Sequence, residues 1–209
     1  VTDLETRACC ARAAGVPLSV VNPRASPYHI TPIDHGSDIV IPSLTKFLGG
    51  HGNSLGGIVV DAGTFDWSKS GRYPALSEPR PEYHGIKLQE TFGNFAFAIA
   101  ARVLALRDLG AAISPFNSFL SLTGIETLSL RMQRHCDNAK ALAEWLSNNP
   151  AVAWVNYAGL PGDKYHNLAR KYSPKGAGAV FTFGLKGGYD AGISLVSNVK
   201  LFSHLANVG

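Results

Sequence analysis

The sequence contains little cysteine, and the three cysteines present are poorly arranged for cross-linking. Their number is odd, and Cys9 and Cys10 are adjacent within a helical pattern. Disulfide-stabilised secreted domains instead carry an even set of spaced cysteines. This pattern excludes a disulfide framework, and we expect Cys9, Cys10 and Cys136 to be small, reduced, apolar residues of a cytoplasmic protein.

Long apolar runs are also missing. The longest, Phe95 to Ala101, is ended by Arg102, whereas a membrane-spanning helix needs about 20 mostly apolar residues. We therefore expect no transmembrane segment, no secretory signal and no membrane partner. The chain begins at Val1 and its single methionine is Met132, which suggests a piece of a longer polypeptide.

Neither sign of charge is in large excess, because 19 lysines and arginines against 15 acidic residues leave a net charge of only +4. One loose basic cluster lacks the interleaved aromatics of a nucleic-acid surface, so we interpret it as a solvated face and expect no nucleic-acid partner. The cluster consists of Lys164, Arg170, Lys171 and Lys175. The seven histidines show no metal-ligand spacing, so no metal site is expected. No nucleophile-elbow or P-loop motif is present.

The first part of the chain predicts a layered α/β domain. Asp3 is a candidate N-cap for a helix that ends before Gly15. Three runs rich in β-branched residues predict strands, at 17–21, Asp38–Ile41 and 56–61. The strands at 38–41 and 56–61 are expected to be buried, and residues 22–32, with three prolines, are expected to form a loop.

The remainder predicts a loop, further helices and two more strands. Residues 64–90 are polar with interspersed aromatics and prolines, which is typical of a long loop or packed insertion. A helix apolar on all sides is expected over Asn94–Leu109, followed by a long helix with a capping box at 123–126 and an end at 148–150. Strands are predicted at 151–157 and 177–185, and a final helix from about 189 to about 206.

The most informative string is S-L-T-K-F-L-G-G-H-G, residues 43–52, directly after the Asp38–Ile41 strand. It places Ser43, Thr45 and Lys46 at the carboxyl end of a strand, where ligands of open α/β sheets bind. Hydroxyls beside glycines suit a phosphate, and a lysine amine can bond an aldehyde cofactor. Taken alone, the pattern also fits a solvated lysine in a glycine-rich turn.

The whole ten-residue string resembles the cofactor-lysine motif of the Cys/Met-metabolism family of pyridoxal-phosphate enzymes. The resemblance implies that Lys46 forms the Schiff base with pyridoxal 5′-phosphate and is catalytic, and that Ser43 and Thr45 contact the cofactor phosphate. Asn207 falls where some members contact the substrate carboxylate. Phe65-Asp66-Trp67 and Tyr83-His84-Gly85 resemble an insertion of the O-acetylhomoserine sulfhydrylase branch.

The resemblance also implies a fold. It is the α/β fold-type I of pyridoxal-phosphate transferases, which is aspartate-aminotransferase-like, with both domains incomplete. Residues 1–115 are expected to form the C-terminal part of the large cofactor-binding domain. Residues 116–209 are expected to form a connecting helix and the start of the small C-terminal domain. The chain corresponds to about the middle half of a family member.

The implied activity is γ-replacement on O-acetyl-L-homoserine with sulfide or a thiol, giving homocysteine when sulfide is used. A cytoplasmic homo-oligomer, a tetramer by family resemblance, is expected. Two alternatives remain open: a cystathionine γ-synthase or C–S lyase of the same family, and a truncated, non-catalytic homologue.

One residue supports the non-catalytic alternative. Family members hold the pyridine nitrogen of the cofactor with an aspartate in a V-D-N-T motif, and here that position is Val21 within Val20-Val21-Asn22-Pro23. Valine cannot hold a protonated ring nitrogen, so this departure bears directly on the chemistry.

Overall fold

The structure is a computed structural model that describes residues 1–209. Helix α1 (Leu4–Ala13) begins where the Asp3 carboxylate accepts a hydrogen bond from the Thr6 backbone N–H. It ends before Gly15, whose φ of +65° is the left-handed conformation that glycine tolerates best. Both ends of this helix agree with the sequence prediction.

A three-stranded sheet follows, with strand order β1-β2-β3. Strands β1 (Ser19–Asn22) and β2 (Ile39–Pro42) are parallel, so their carboxyl ends meet at one edge of the sheet. Strand β3 (Val60–Asp61) pairs antiparallel with β2. The prediction of a buried strand over 56–61 was too long and wrong on burial. Only two residues are strand, and Val59 and Val60 are 53% and 37% exposed, because their apolar side chains find no partner within this chain.

The segment between β1 and β2 is not a plain loop. A single helical turn, α2 (Ser26–His29), and a 3₁₀ turn (Pro32–His35) lie in and just beyond the region predicted as loop. Proline near the first position of each turn favours this, because its φ is already helical and its missing N–H is not needed there.

Residues 62–100 enclose the main apolar core. Trp67 is 5% exposed, stacks on Phe97 with ring centroids 5.2 Å apart, and meets Tyr73 edge to face. Two short helices, α3 (Pro74–Ser77) and α4 (Leu88–Phe92), lie in or overlap the predicted loop. The aromatic-rich stretch is therefore a packed insertion, one of the two possibilities that the sequence left open.

The helix expected over Asn94–Leu109 is divided. Helix α5 (Ala96–Ala100) continues into a π-helical segment over Ala101–Asp108, and that segment buries no residue. The expectation of all-round burial is wrong here, because no other element of this chain covers the outer face of the segment.

Two helices, α6 (Pro115–Ile125) and α7 (Leu128–Ser147), replace the single long helix. The predicted capping box is wrong: Thr123 lies inside α6, and its hydroxyl donates to the Phe119 carbonyl oxygen. Helix α7 buries one apolar stripe against the rest of the chain. Its buried members are Met132, Cys136, Ala139, Ala143 and Leu146.

A smaller antiparallel pair follows α7 and consists of β4 (Val152–Asn156) and β5 (Thr182–Leu185). Helix α8 (His166–Tyr172) connects the two strands, and α9 (Gly188–Asn198) follows β5. Strand β5 starts later than predicted, and α9 ends eight residues before the predicted 206 (206 − 198). None of the helices combines the length and hydropathy needed to span a membrane.

Candidate functional site

The candidate site is centred on residues 43–52, which we call the lysine turn. It leaves the carboxyl end of β2, where Ser43 forms an isolated antiparallel bridge with Gly57. Leu44–Leu48 then forms one π-helical turn, interrupted at Lys46 by non-helical backbone angles of φ −94° and ψ −133°. The glycines that follow reverse the chain, and Gly50 has a φ of +71°. Lys46 thus lies at the sheet edge that the sequence predicted.

The Lys46 side chain is half-buried and points to the end of the chain. Its Nζ donates a hydrogen bond of 2.7 Å to Oδ1 of Asn207. No carboxylate lies within ion-pair distance of Nζ. The only protein partner of this amine is therefore a neutral amide, which an incoming carbonyl group can replace without breaking an ion pair.

The two hydroxyls of the motif differ in their surroundings. Thr45 Oγ1 accepts a 3.1 Å hydrogen bond from the Gly56 N–H and donates a 3.3 Å bond to the Gly56 carbonyl oxygen. Ser43 occupies the N-cap position of the turn, but its side chain forms no capping hydrogen bond. The Ser43 hydroxyl is therefore uncommitted, whereas the Thr45 hydroxyl ties the turn to the following segment.

Close backbone packing holds the turn against α6 and the chain end. A Cβ placed on Gly124 would lie 1.9 Å from the Gly49 carbonyl oxygen, so only glycine fits at position 124. A Cβ on Gly209 would lie 2.5 Å from the Phe47 nitrogen, which shows how closely the last residues approach the turn. Segments distant in sequence therefore converge on the residues that flank Lys46.

Arg131, on α7, binds the far side of the turn. Its Nη1 donates 2.8 Å to the Phe47 carbonyl oxygen, and its Nη2 donates 3.3 Å to Leu48 and 2.8 Å to Gly124. The sequence prediction did not include Arg131 among the site residues. No sequence motif marks Arg131, because its partners at the turn are backbone carbonyls.

Two cationic side chains, Lys46 and Arg131, lie at the site, and neither forms an ion pair. Burial lowers the pKa of the Arg131 guanidinium from its ordinary value. Burial, assisted by the positive charge of Arg131, also lowers the pKa of His135, whose ring meets Phe47 edge to face at 5.5 Å. A depressed pKa keeps His135 neutral near pH 7. Because Lys46 and Arg131 carry charge without an ion-pair partner, they favour a negatively charged ligand.

Val21 lies at the same sheet edge. It pairs in parallel register with Ile41, two residues before Ser43, and is 68% exposed. Its neighbour Asn22 is buried, and the Asn22 side-chain oxygen accepts a hydrogen bond from the Ala25 N–H. At the position where the resemblance expects a carboxylate, the strand presents an exposed apolar side chain.

Comparison with known proteins gives a consistent result. The family model described as Cys/Met metabolism PLP-dependent enzyme matches residues 1–209. The chain is 53% identical over 211 residues to a homocysteine synthase of Schizosaccharomyces pombe, covering 100% of this chain and 49% of that protein. It is 51% identical over 210 residues to O-acetyl-L-homoserine sulfhydrylase 1 of Thermus thermophilus, covering 100% of this chain and 50% of that protein.

A solved structure agrees with the sequence matches. A putative O-acetylhomoserine (thiol)-lyase of Campylobacter jejuni, described with N′-pyridoxyl-lysine-5′-monophosphate, superposes with a TM-score of 0.92 at 33% identity. The match covers 99% of this chain and 52% of that one. The chain spans about half the length of the relatives it matches.

The α/β architecture, with a lysine at the carboxyl end of a strand, defines the class: a pyridoxal-phosphate-dependent enzyme of fold-type I. Within that class, the chain belongs to the Cys/Met-metabolism family. The fold class and the family that the sequence predicted are therefore both confirmed.

Proposed function

We propose that residues 1–209 supply the lysine-bearing part of an enzyme that catalyses γ-replacement on O-acetyl-L-homoserine. In this reaction the Cγ–O bond breaks, acetate leaves, and sulfide forms the new C–S bond of homocysteine. The observation that carries the proposal is the Lys46 amine at the carboxyl end of β2, bonded to a neutral amide and to no carboxylate. The relatives named homocysteine synthase and O-acetyl-L-homoserine sulfhydrylase give the reaction.

The donor set around Lys46 fits pyridoxal 5′-phosphate. Lys46 supplies the amine that bonds the aldehyde carbon, and the uncommitted Ser43 hydroxyl is suited to the phosphate. Thr45 contributes to the phosphate site either directly or by fixing the turn through Gly56. When bound, the cofactor supplies an electron sink for charge that develops on the substrate Cα.

Lys46 is also the group that moves protons. Its amine is proposed to take the proton from the substrate Cα and to return one as the replacement is completed. Asn207 positions that amine through the 2.7 Å hydrogen bond. The two cations without ion-pair partners, Lys46 and Arg131, favour an anionic amino-acid substrate and phosphate group.

Two alternatives concern the chemistry. A cystathionine γ-synthase or C–S lyase would use the same lysine and cofactor with a different leaving group or acceptor. A truncated, non-catalytic homologue is favoured by one specific observation: Val21 is apolar and exposed at the sheet edge, so it offers no charge to a ring nitrogen.

The organisation and surroundings of the enzyme belong to the same proposal. Residues 1–115 are proposed to be part of the large cofactor-binding domain, and residues 116–209 to connect to and begin the small one. The enzyme is proposed to act as a cytoplasmic homo-oligomer on an amino-acid substrate and sulfide or a thiol. No nucleic-acid or membrane partner is proposed.

Borohydride reduction in the presence of pyridoxal phosphate tests the assignment of Lys46. The complete natural polypeptide that contains residues 1–209 is reduced, digested and mapped, and the product of turnover is measured in parallel. We expect the pyridoxyl group on Lys46, none in a Lys46→Ala variant, and homocysteine as product. The exposed Lys69 is the control for non-specific labelling.

Adduct distributed over surface lysines, with none enriched at Lys46, would contradict the proposal. Adduct at Lys46 without any replacement or elimination activity would favour the non-catalytic homologue.

A further inference from the structure

We propose that Arg131 is a positioning residue for Lys46: it fixes the lysine turn from α7 and so determines where the Lys46 amine lies. This inference rests on the proposed role of Lys46 in binding pyridoxal phosphate. Arg131 reaches back 84 residues to the Phe47 carbonyl, and 83 residues to the Leu48 carbonyl, directly after Lys46.

The need for a fixing group follows from the backbone. Lys46 interrupts the π-helical turn with non-helical angles. Its own carbonyl oxygen accepts a 2.8 Å hydrogen bond from the Gly50 N–H, but the Phe47 and Leu48 carbonyls that follow have no backbone donor. Carbonyls at the end of a helical turn have no partner within the helix and require one from elsewhere. Arg131 supplies that partner to the two carbonyls that immediately follow the lysine.

An arginine suits this role and a lysine does not. The planar guanidinium holds several N–H donors in a fixed fork. Here the fork contacts three carbonyl oxygens, while Nε donates 3.1 Å to the Thr127 hydroxyl and fixes the plane of the group. The contacted carbonyls belong to Phe47, Leu48 and Gly124, so Arg131 joins the lysine turn to the end of α6. A lysine ammonium carries its three N–H donors on one nitrogen atom and cannot span these separated carbonyls.

The glycines of the turn are matched to the arginine. A Cβ on Gly50 would lie 2.3 Å from Arg131 Cζ, so any larger residue at position 50 would displace the guanidinium. Gly50 also has a φ of +71°, which disfavours other residues independently. Glycine at position 50 therefore admits Arg131 as well as permitting the turn.

Loss of the guanidinium should free the residues that follow Lys46. The amine would then move away from the place that its bond to Asn207 defines, and capture of the aldehyde would weaken. A role limited to positive charge predicts something different, because Arg131→Lys keeps the charge and loses the fork. The two substitutions together separate positioning from charge.

The experiment measures cofactor capture rather than turnover. Wild-type, Arg131→Met and Arg131→Lys forms of the complete natural polypeptide are titrated with pyridoxal phosphate and reduced, and the adduct on Lys46 is quantified by peptide mapping. Arg134→Met is the matched control, because Arg134 lies on the same helix, is exposed, and its side chain makes no hydrogen bond or ion pair. Unfolding midpoints are recorded for each variant, and Arg131→Ala is also titrated with methylguanidinium present.

We expect both Arg131→Met and Arg131→Lys to raise the half-saturating concentration by about tenfold or more, with Arg134→Met unchanged. Methylguanidinium should restore capture in Arg131→Ala, whereas sodium at equal ionic strength should not. Wild-type capture in a folded Arg131→Met or Arg131→Lys variant would overturn the proposal. If both variants fail to fold, Arg131 serves the fold, and the proposal is also overturned. Absence of adduct at Lys46 in the wild type would instead contradict the proposed function.

Discussion

The Lys46 amine donates a 2.7 Å hydrogen bond to the side-chain oxygen of Asn207, which lies 161 residues later in the chain. Asn207→Asp would place a negative charge at that oxygen and give the amine the ion-pair partner that it lacks in the wild type. We expect slower borohydride-trapped adduct formation, because the amine must then break an ion pair before it reaches the aldehyde. Asn167→Asp adds the same charge at an exposed position on α8 and serves as control. Equal trapping rates in Asn207→Asp and wild type would show that Asn207 does not control the amine.

Alanine substitutions at Ser43 and Thr45 should have different effects, one on cofactor binding and the other on stability. Thr45→Ala removes two hydrogen bonds to Gly56 and should lower the free energy of unfolding by about 1–3 kcal/mol. Ser43→Ala removes an uncommitted hydroxyl, so stability should be unchanged while the half-saturating concentration of pyridoxal phosphate rises about tenfold or more. Urea unfolding and cofactor titration measure the two quantities. A stable Thr45→Ala variant, or unaltered cofactor binding in Ser43→Ala, would disprove the corresponding half.

Gly124 should tolerate no side chain. The Cβ of Gly124→Ala would lie 1.9 Å from the Gly49 carbonyl oxygen, and overpacking of this kind costs about 1–3 kcal/mol or more. Gly192→Ala, on α9, meets nothing within 4 Å and should be neutral or stabilise by about 0.5–1 kcal/mol. Urea unfolding compares the two variants. A Gly124→Ala protein as stable as the wild type would mean that α6 and the lysine turn are not in contact.

Val21 should limit the rate of Cα proton removal. A carboxylate near the ring nitrogen favours its protonated form, and two pKa units of such stabilisation correspond to about 2.7 kcal/mol. Because each 1.36 kcal/mol is about tenfold in rate, Val21→Asp should accelerate exchange of the substrate Cα proton for solvent deuterium by more than about tenfold. Val21 is 68% exposed, so the fold should accept the charge. Ser19→Asp places the same charge two residues earlier on β1. If Val21→Asp gains no more than Ser19→Asp, the residue does not face the ring nitrogen.

His29 should make the fold sensitive to acid. Burial, and secondarily the charge of Lys175, lower the pKa of His29 from its ordinary value of 6.5. The unfolded chain therefore binds this proton first as pH falls through 6.5, so the free energy of unfolding should decrease below that pH. His29→Gln should make the free energy of unfolding fall less between pH 7 and pH 5. His204→Gln, at an exposed position, is the control for the loss of any one imidazole and should leave that fall unchanged. Identical pH profiles for wild type and His29→Gln would contradict the assignment.

The features that could be predicted from the sequence are those that a short stretch of neighbouring residues determines. Asp3 and Gly15 define the ends of α1 by local chemistry, and the lysine motif placed Lys46 at the end of a strand correctly. The predicted roles of Lys46, Ser43 and Thr45 toward the cofactor stay predictions, as do the domain boundaries.

What could not be predicted depends on contacts between distant residues. Threonine is a common N-cap residue, so Thr123 suggested the start of a helix. Helix α6 instead continues through Thr123, because the chain turns only after Ile125. Arg131 has no motif of its own, since its partners are backbone carbonyls present in every sequence. The apolar run ending at Val60 suggested a buried strand, but burial is decided by neighbours, and there are none here to cover it.

The distance in sequence between Lys46 and its partners has a consequence for biosynthesis. Ribosomes add about 5–20 residues per second, so Lys46 is made roughly 10–30 s before Asn207, 161 residues later. Arg131 is added at an intermediate time, and the amine reaches its final hydrogen bond only after both have left the ribosome. A nascent chain that meets free pyridoxal phosphate during this interval presents Lys46 as one accessible lysine among several. If Lys46 binds the cofactor as proposed, selective loading would follow synthesis of the small antiparallel sheet and α9.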